Sequence, residues 1–166
     1  MHAGFGILMA KSGKEKPHGV RILNRRARHE YAITEVVECG LELTGTEVKS
    51  LRAGQAKIDE AYARVLDGQA FLLEANISPY DHAAPGMQHE PKRARRLLLH
   101  RAQIRKLLTH ATQKGQTIVP LAVYFKHGWA KCELGLAVGK QLHDKRRSLK
   151  EREQKRDVDR ELRRRR

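Results

Sequence analysis

Two strand-like runs, at residues 61–66 and 69–74, are separated only by Asp67-Gly68. Such a link specifies a tight antiparallel hairpin, because both turn positions take positive φ and this dipeptide tolerates it best. No other feature constrains the chain as much. It commits the middle of the molecule to antiparallel sheet, and the neighbouring sequence extends that sheet. Tyr31-Ala32-Ile33-Thr34-Glu35-Val36-Val37-Glu38-Cys39 alternates with β-branched residues and reads as a strand. Leu41-Glu42-Leu43 continues it past Gly40, which reads as a bulge or bend. Runs at 117–125 and 129–138, joined at His127-Gly128, read as a second hairpin.

Helical signals are few. After Gly45, Thr46 is a candidate N-cap, Val48 and Leu51 share a face, and Gly54 closes a short helix. The clearest helix spans 101–114, where Ile104, Leu107, Leu108 and Ala111 make one apolar stripe. His100 with Gln103 forms a weak capping box, and Gly115 ends the helix. Residues 81–91 read as a loop. About six antiparallel strands with two to three flanking helices predict a mostly β fold, a small closed barrel, because closure removes exposed strand edges.

Three regions follow. Residues 1–23 read as a flexible, basic arm, residues 24–138 as the barrel, and residues 139–166 as a charged tail. The middle, about 115 residues, is one ordinary domain. The tail holds 13 Lys or Arg and 6 Asp or Glu, with Leu142, Leu149, Val158 and Leu162 as its only large apolar side chains. It cannot bury enough apolar surface to offset the entropy of ordering, so it is expected to be disordered when free. Ser148-Leu149-Lys150-Glu151 is a capping box, so helix is expected from about residue 149 once a partner is bound. Met9 reads as the natural start, and residues 1–9 lack the basic flank and long apolar run of a signal peptide. No run reaches membrane-spanning length. Cys39 and Cys132 fall in strand runs and read as buried free thiols, which fits a reducing cytoplasm.

The net charge of +15 points to a polyanionic partner. Basic clusters lie at Arg21 with Arg25, Arg26 and Arg28, at residues 92–96, at Arg101 with Arg105 and Lys106, and in the tail. Aromatics are only 5%, which argues against a single-strand reader built on base stacking. No helix-turn-helix pattern appears. Backbone- and shape-directed recognition of folded RNA fits best. Carboxylates at Glu35, Glu38, Glu42 and Glu47 read as salt-bridging, and His89 as a surface or phosphate-facing residue. No P-loop, GxSxG, HExxH or paired Cys/His spacing is present, so neither catalysis nor a metal or other cofactor is expected.

One resemblance stands out. Asn24-Arg25-Arg26-Ala27-Arg28-His29-Glu30-Tyr31, Gly45-Thr46-Glu47-Val48-Lys49-Ser50-Leu51-Arg52, Arg96-Leu97-Leu98-Leu99-His100, Gly139-Lys140 and Asp144-Lys145-Arg146 occur in this order. Together they closely resemble the SmpB family, the SsrA-binding proteins of trans-translation. The resemblance implies an OB-like barrel that binds the tRNA-like domain of transfer-messenger RNA (tmRNA, or SsrA RNA). It implies an RNA face at Asn24, Arg25, Arg26, Glu38, Lys49, Arg52, Arg96 and Leu98. It further implies delivery to the A site of stalled 70S ribosomes, with elongation factor Tu a partner only through the aminoacylated RNA.

The tail would enter the decoding centre and the empty mRNA channel, lined by small-subunit ribosomal RNA. Lys140, His143, Asp144, Lys145, Arg146, Lys150, Arg152, Lys155, Arg156 and Leu162 would carry that role. Gln141 departs from the family's usual Lys, which removes one phosphate-facing charge. Two alternatives are a basic ribosomal or other translation-associated OB-fold protein, and a ribonuclease using a His pair.

Overall fold

The computed structural model describes residues 19–84 and 86–140. The expected start at Met9, most of the arm, and the tail from Gln141 onward with its capping box lie outside the described residues.

Twelve elements follow one another in this region. They are β1 (Ile22–Leu23), α1 (Ala27–Glu30), β2 (Tyr31–Leu41), α2 (Gly45–Arg52), β3 (Ala56–Lys57), β4 (Tyr62–Leu66), β5 (Gln69–Leu73), β6 (Asn76–Ile77), β7 (Arg95–Leu98), α3 (Arg101–Ala111), β8 (Gln116–Lys126) and β9 (Trp129–Gly139). Strands β8, β4, β5, β7, β2 and β9 pair in that order, and β9 pairs back onto β8. The ring is closed and every pairing is antiparallel, so the expected six-stranded barrel forms. Strand β1 adds outside the ring along β8, which puts Ile22 and Leu23 in the body and not in the arm.

Both predicted hairpins are present. Asp67 and Gly68 have φ of 47° and 72°, and His127 and Gly128 have 51° and 80°, the double left-handed geometry of a type I′ turn. Closure depends on two bulges. The β2–β9 register slips at Thr34, between Ile33 and Glu35, and the β8–β9 register slips at Leu121, between Pro120 and Ala122. Each slip moves the following side chains to the opposite face. Val37, Cys39 and Leu41 therefore point into the main core, as do Val123 and Leu134. Tyr31, Ile33, Val119 and Leu121, from the same strands, form a second small cluster with Ala27 and Ala137 outside the barrel. Gly135 permits it, because a Cβ there would lie 3.2 Å from both Ile33 and Leu121. No bulge forms at Gly40: β2 continues through it with its pairing to β9 in unbroken register.

Helix α2 is capped by Thr44, two residues before the expected Thr46. The reason is Glu47, whose carboxylate accepts the Thr44 amide at 2.8 Å. Gly45 thus opens the helix instead of ending a strand. Helix α3 begins as expected at His100, whose amide donates to Gln103. It ends at Ala111, short of Lys114, because residues 112–116 tighten into a turn through Gln113 N–H to His110 O and Gly115 at φ 78°. Of its apolar stripe only Leu107 is buried. Leu107 joins the main core, while α3 lies over β4 and β8, where a single residue pair joins the two strands.

A buried ionic cluster holds these parts together. Glu47 and Arg95 have no solvent exposure at all. Arg93 meets Glu47 with two hydrogen bonds of 2.8 and 2.6 Å, and Arg95 adds one of 2.9 Å. The remaining Arg95 donors reach the carbonyls of Ala75, Arg93 and Pro91. His89 is also buried: its Nε2 donates to Ile77 O, so its Nδ1 accepts from the Thr46 hydroxyl in the neutral ring. The basic cluster at 92–96 is therefore divided. Arg95 is buried and Arg93 half-buried against Glu47, Lys92 pairs with Glu74 at the surface, and Arg96 faces out.

Burial alone would raise the Glu47 pKa. The Arg93 bonds, the Thr44 amide and the two guanidinium charges outweigh it and hold the carboxyl below its usual range. The stabilisation is therefore complete above the unfolded-state value of about 4.3, and is lost as pH falls through the lower folded value. Glu47→Ala, which strands Arg95, is expected to cost about 3–5 kcal/mol in urea unfolding. Glu47→Gln should flatten the loss of stability between neutral and acidic pH that the unaltered chain shows.

Candidate RNA interface

Strand register assembles an outward face from distant parts of the chain. Leu98 of β7 pairs with Gly40 of β2, Gly40 with Lys131 of β9, and Lys131 with Tyr124 of β8. These four positions form one transverse row on the outside of the barrel. One step along, Glu38 faces Glu133; one step the other way, Trp129 faces Lys126. Leu98 is 52% exposed, so it is not a core side chain. It leans over Gly40, where a Cβ would approach the Leu98 Cβ to 3.1 Å. Glycine there lets the leucine lie flat on the sheet.

Glu38 is fixed on this face. Tyr124 donates to its carboxylate at 2.6 Å, and Lys126 lies 3.8 Å away. Arg21 pairs with Glu133 at 2.7 Å and places its guanidinium 5.0 Å from the Tyr124 ring centroid. Burial, then the hydrogen bond to Glu38, raises the Tyr124 phenol well above its normal pKa. Glu38 and Glu133 are thus each paired with a cation, and among the described residues nothing bonds to Glu38 Oε1.

The remaining predicted residues divide. Arg96 is outward on β7, two residues from Leu98, beside a shallow groove of about 410 Å³ that Leu99, Arg101 and Ile104 also line. Lys49 and Arg52 are exposed on α2, which follows directly from the Glu38 end of β2. Lys49 lies 5.0 Å from the Tyr80 ring and Arg52 lies 5.3 Å from that of Phe125. Arg25 and Arg26 are exposed beyond β1, with Arg26 paired to Glu30.

Asn24 is buried. Its amide nitrogen donates to Ile58 O at 3.0 Å and its oxygen caps the Ala27 amide at 2.8 Å. Its side chain is committed to protein and fixes the turn that carries Arg25 and Arg26. Beside that turn is a notch of about 380 Å³, lined by Glu30, Asp59 and Glu60 as well as Arg26. Those carboxylates make it a poor seat for phosphate.

Lys140 marks the origin of the tail. Its amide donates to Glu30 O and its Nζ to Arg28 O, each at 3.0 Å. The tail therefore leaves from the α1 end of β9, while Trp129 marks the other end, about 30 Å away along an 11-residue strand. The other predicted tail residues, His143, Asp144, Lys145, Arg146, Lys150, Arg152, Lys155, Arg156 and Leu162, lie outside the described residues.

Arg21, Tyr124, Lys126, Lys131 and Trp129 were not among the predicted face residues. The charges at 21, 126 and 131 were visible in the sequence, but only pairing across β2, β9 and β8 gathers them. Among the described residues, no group of three or more His, Cys, Asp or Glu is arranged to hold a metal, and no helix is long and apolar enough to cross a membrane. Cys39 and Cys132 are buried free thiols, opposite each other in register.

A closed antiparallel barrel with a cation-rimmed strand face defines an OB-like, polyanion-binding class of protein. The family profile described as SmpB protein matches residues 21–164. The SsrA-binding protein of Acaryochloris marina is 51% identical, over 85% of this chain and 92% of its own. That of Trichormus variabilis is 48% identical, over 91% and 97%. A solved chain from work on tmRNA-SmpB and the centre of the bacterial ribosome aligns with a TM-score of 0.63 and 47% identity, covering 74% of this chain and 85% of that one. The chain belongs to the SmpB family.

The geometry around Glu38 predicts a spectroscopic result. Of the four tyrosines, Tyr124 should ionise last in an ultraviolet titration. Glu38→Gln should bring its transition closer to the others, because it removes a neighbouring negative charge. An unmoved Tyr124 transition in the variant would show that the Glu38 charge does not contribute to the shift.

Proposed function

We propose that this protein is an RNA-binding ribosome-rescue factor that recognises the tRNA-like domain of tmRNA and accompanies it to the A site of stalled ribosomes. Its relatives are named for binding SsrA RNA, and the family profile covers nearly the whole chain. The observation that carries the reading is the placement of Glu38 and Leu98. Both belong to the RNA face implied by the resemblance, and they lie on adjacent rows of one exposed, cation-rimmed surface.

The chemistry follows from the side chains. The Glu38 carboxylate accepts a hydrogen bond from a ribose 2′-hydroxyl or a base amino group, which separates RNA from DNA. Leu98 packs on a sugar or base face. Arg21, Arg52, Arg96 and Lys131 meet phosphate, and Asn24 holds Arg25 and Arg26 in position. The factor needs no catalytic group, because its work is to place one RNA in another particle.

The tail performs the second task. Leaving the barrel at Lys140, far from the Glu38 face, residues 141–166 reach into an mRNA channel that is vacant only when message has run out. His143 stacks on a ribosomal base in the decoding centre, Lys145 and Arg146 track phosphate, and the segment from about residue 149 becomes helical against the channel wall. Its charge keeps it unfolded in solution and attracts it to an RNA-walled passage.

Electrophoretic shift of the tRNA-like RNA at several salt concentrations tests the body. Glu38→Gln, which still accepts from Tyr124, and Leu98→Ala should each weaken binding about tenfold with little change in thermal melting. Equal affinity for unrelated tRNA or duplex DNA at physiological salt would refute specific recognition. Truncation after Lys140 should leave RNA affinity largely intact and abolish peptide tagging in a stalled-ribosome assay. Loss of RNA binding in that truncation would overturn the division between body and tail.

A further inference from the structure

The chain has a single tryptophan, and it is 74% exposed. A single exposed apolar side chain is ordinary in itself; what makes this one informative is that it lies beside Leu98, a second exposed apolar side chain, on the cation-bearing face. Its position is rigid. The type I′ turn at His127-Gly128 and continuous pairing of β8 with β9 hold Trp129 on the outward face, opposite Lys126. Lys131 stands two residues along the same side of β9.

The surroundings identify the kind of partner. A bare indole flanked by Lys126 across the pair and Lys131 along the strand suits a base with its phosphates, since the ring stacks and the cations take the backbone. Two acidic groups of the face, Glu38 and Glu133, are paired with Lys126 and Arg21, and exposed Glu42 lies beside Arg96, whose carbonyl accepts its amide. The indole is also continuous with the proposed RNA face. The Trp129 row adjoins the row of Leu98, Gly40, Lys131 and Tyr124, and Lys126 spans from it to Glu38.

We propose that Trp129 is a base-stacking residue for this protein's RNA partner: it stacks on one unpaired nucleobase of the tRNA-like domain bound at the Glu38–Leu98 face. This rests on the function proposed above and adds a contact of a different kind. The low aromatic content had argued against stacking, and the structure limits that argument to one position. A single stack suits a folded RNA that exposes one base in a loop, where a single-strand reader would need several aromatics.

The lone tryptophan is its own reporter. The full chain is titrated with the tRNA-like RNA while its emission and the gel shift are followed together. We expect emission to quench and saturate at the same RNA concentration as the shift. Trp129→Ala should weaken binding by about 5- to 100-fold without changing the melting temperature, and Trp129→Phe should recover part of the loss. A complete shift with unmoved emission, or Trp129→Ala binding within about twofold of the unaltered chain, overturns the proposal and leaves RNA recognition standing. Emission that responds only to ribosomal particles lacking this RNA overturns it as well. Absence of any specific shift counts instead against the function proposed above.

Discussion

The buried Glu47–Arg95 pair is the interaction on which the site depends. Two charged groups removed from water are costly unless their remaining donors and acceptors are filled. Here they are filled by Arg93, by the Thr44 amide, and by the carbonyls of Ala75, Pro91 and Arg93. The cluster joins the start of α2, the loop before β7, the β5–β6 link and β7 itself. Its partners come from four segments, so none can shift without stranding a charge. Because β7 is fixed at Arg95, Leu98 is fixed opposite Gly40, and the outward face takes its geometry from a contact buried beneath it.

The second constraint is closure. Six strands make a ring only if some of them bend, and the bulges at Thr34 and Leu121 supply the bend. Both lie against the same stretch of β9. From Leu134 to Ala137 that stretch is apolar on both faces: Leu134 and Leu136 fill the barrel, while Ala137 faces the small cluster around Leu121 and Ile33, which packs over Gly135. β9 is thus a shared wall between two apolar clusters. It also runs the length of the molecule, with the exposed face at its start and the tail at its end. On the proposed function, this one strand sets the separation between RNA recognition and channel sensing.

Electrostatics refines the picture that net charge alone suggests. The positive charge of the body is unevenly spent. Arg93 and Arg95 serve the interior, Lys92 and Lys106 pair with Glu74 and Glu35, and Arg26 pairs with Glu30. Among the described residues, Arg25, Lys49, Arg52, Arg96 and Lys131 are among those left without an ion pair. A polyanion would therefore meet free cations beside the paired Glu38 and Glu133, and phosphate contacts of this kind set orientation.

The sequence by itself determined the local structure. Turn chemistry at Asp67-Gly68 and His127-Gly128 specified both hairpins, because few residues accept two successive positive φ values. The number of strands specified a closed barrel. Shared blocks such as Glu47-Val48-Lys49-Ser50-Leu51-Arg52 carried the family resemblance. Whatever depends on residues distant in the chain was decided only by tertiary structure. Strand β7 was invisible because its inward positions are Arg95 and Leu97, and an inward arginine makes sense only once Glu47 is seen beside it. The two bulges were invisible because a one-residue slip reverses which side chains face the core without altering the apparent alternation. Asn24, Leu98 and Trp129 show the same limit: one is buried and committed to protein, and two are apolar yet exposed. Burial is a property of what packs against a residue, and the chain's neighbours in sequence do not report it.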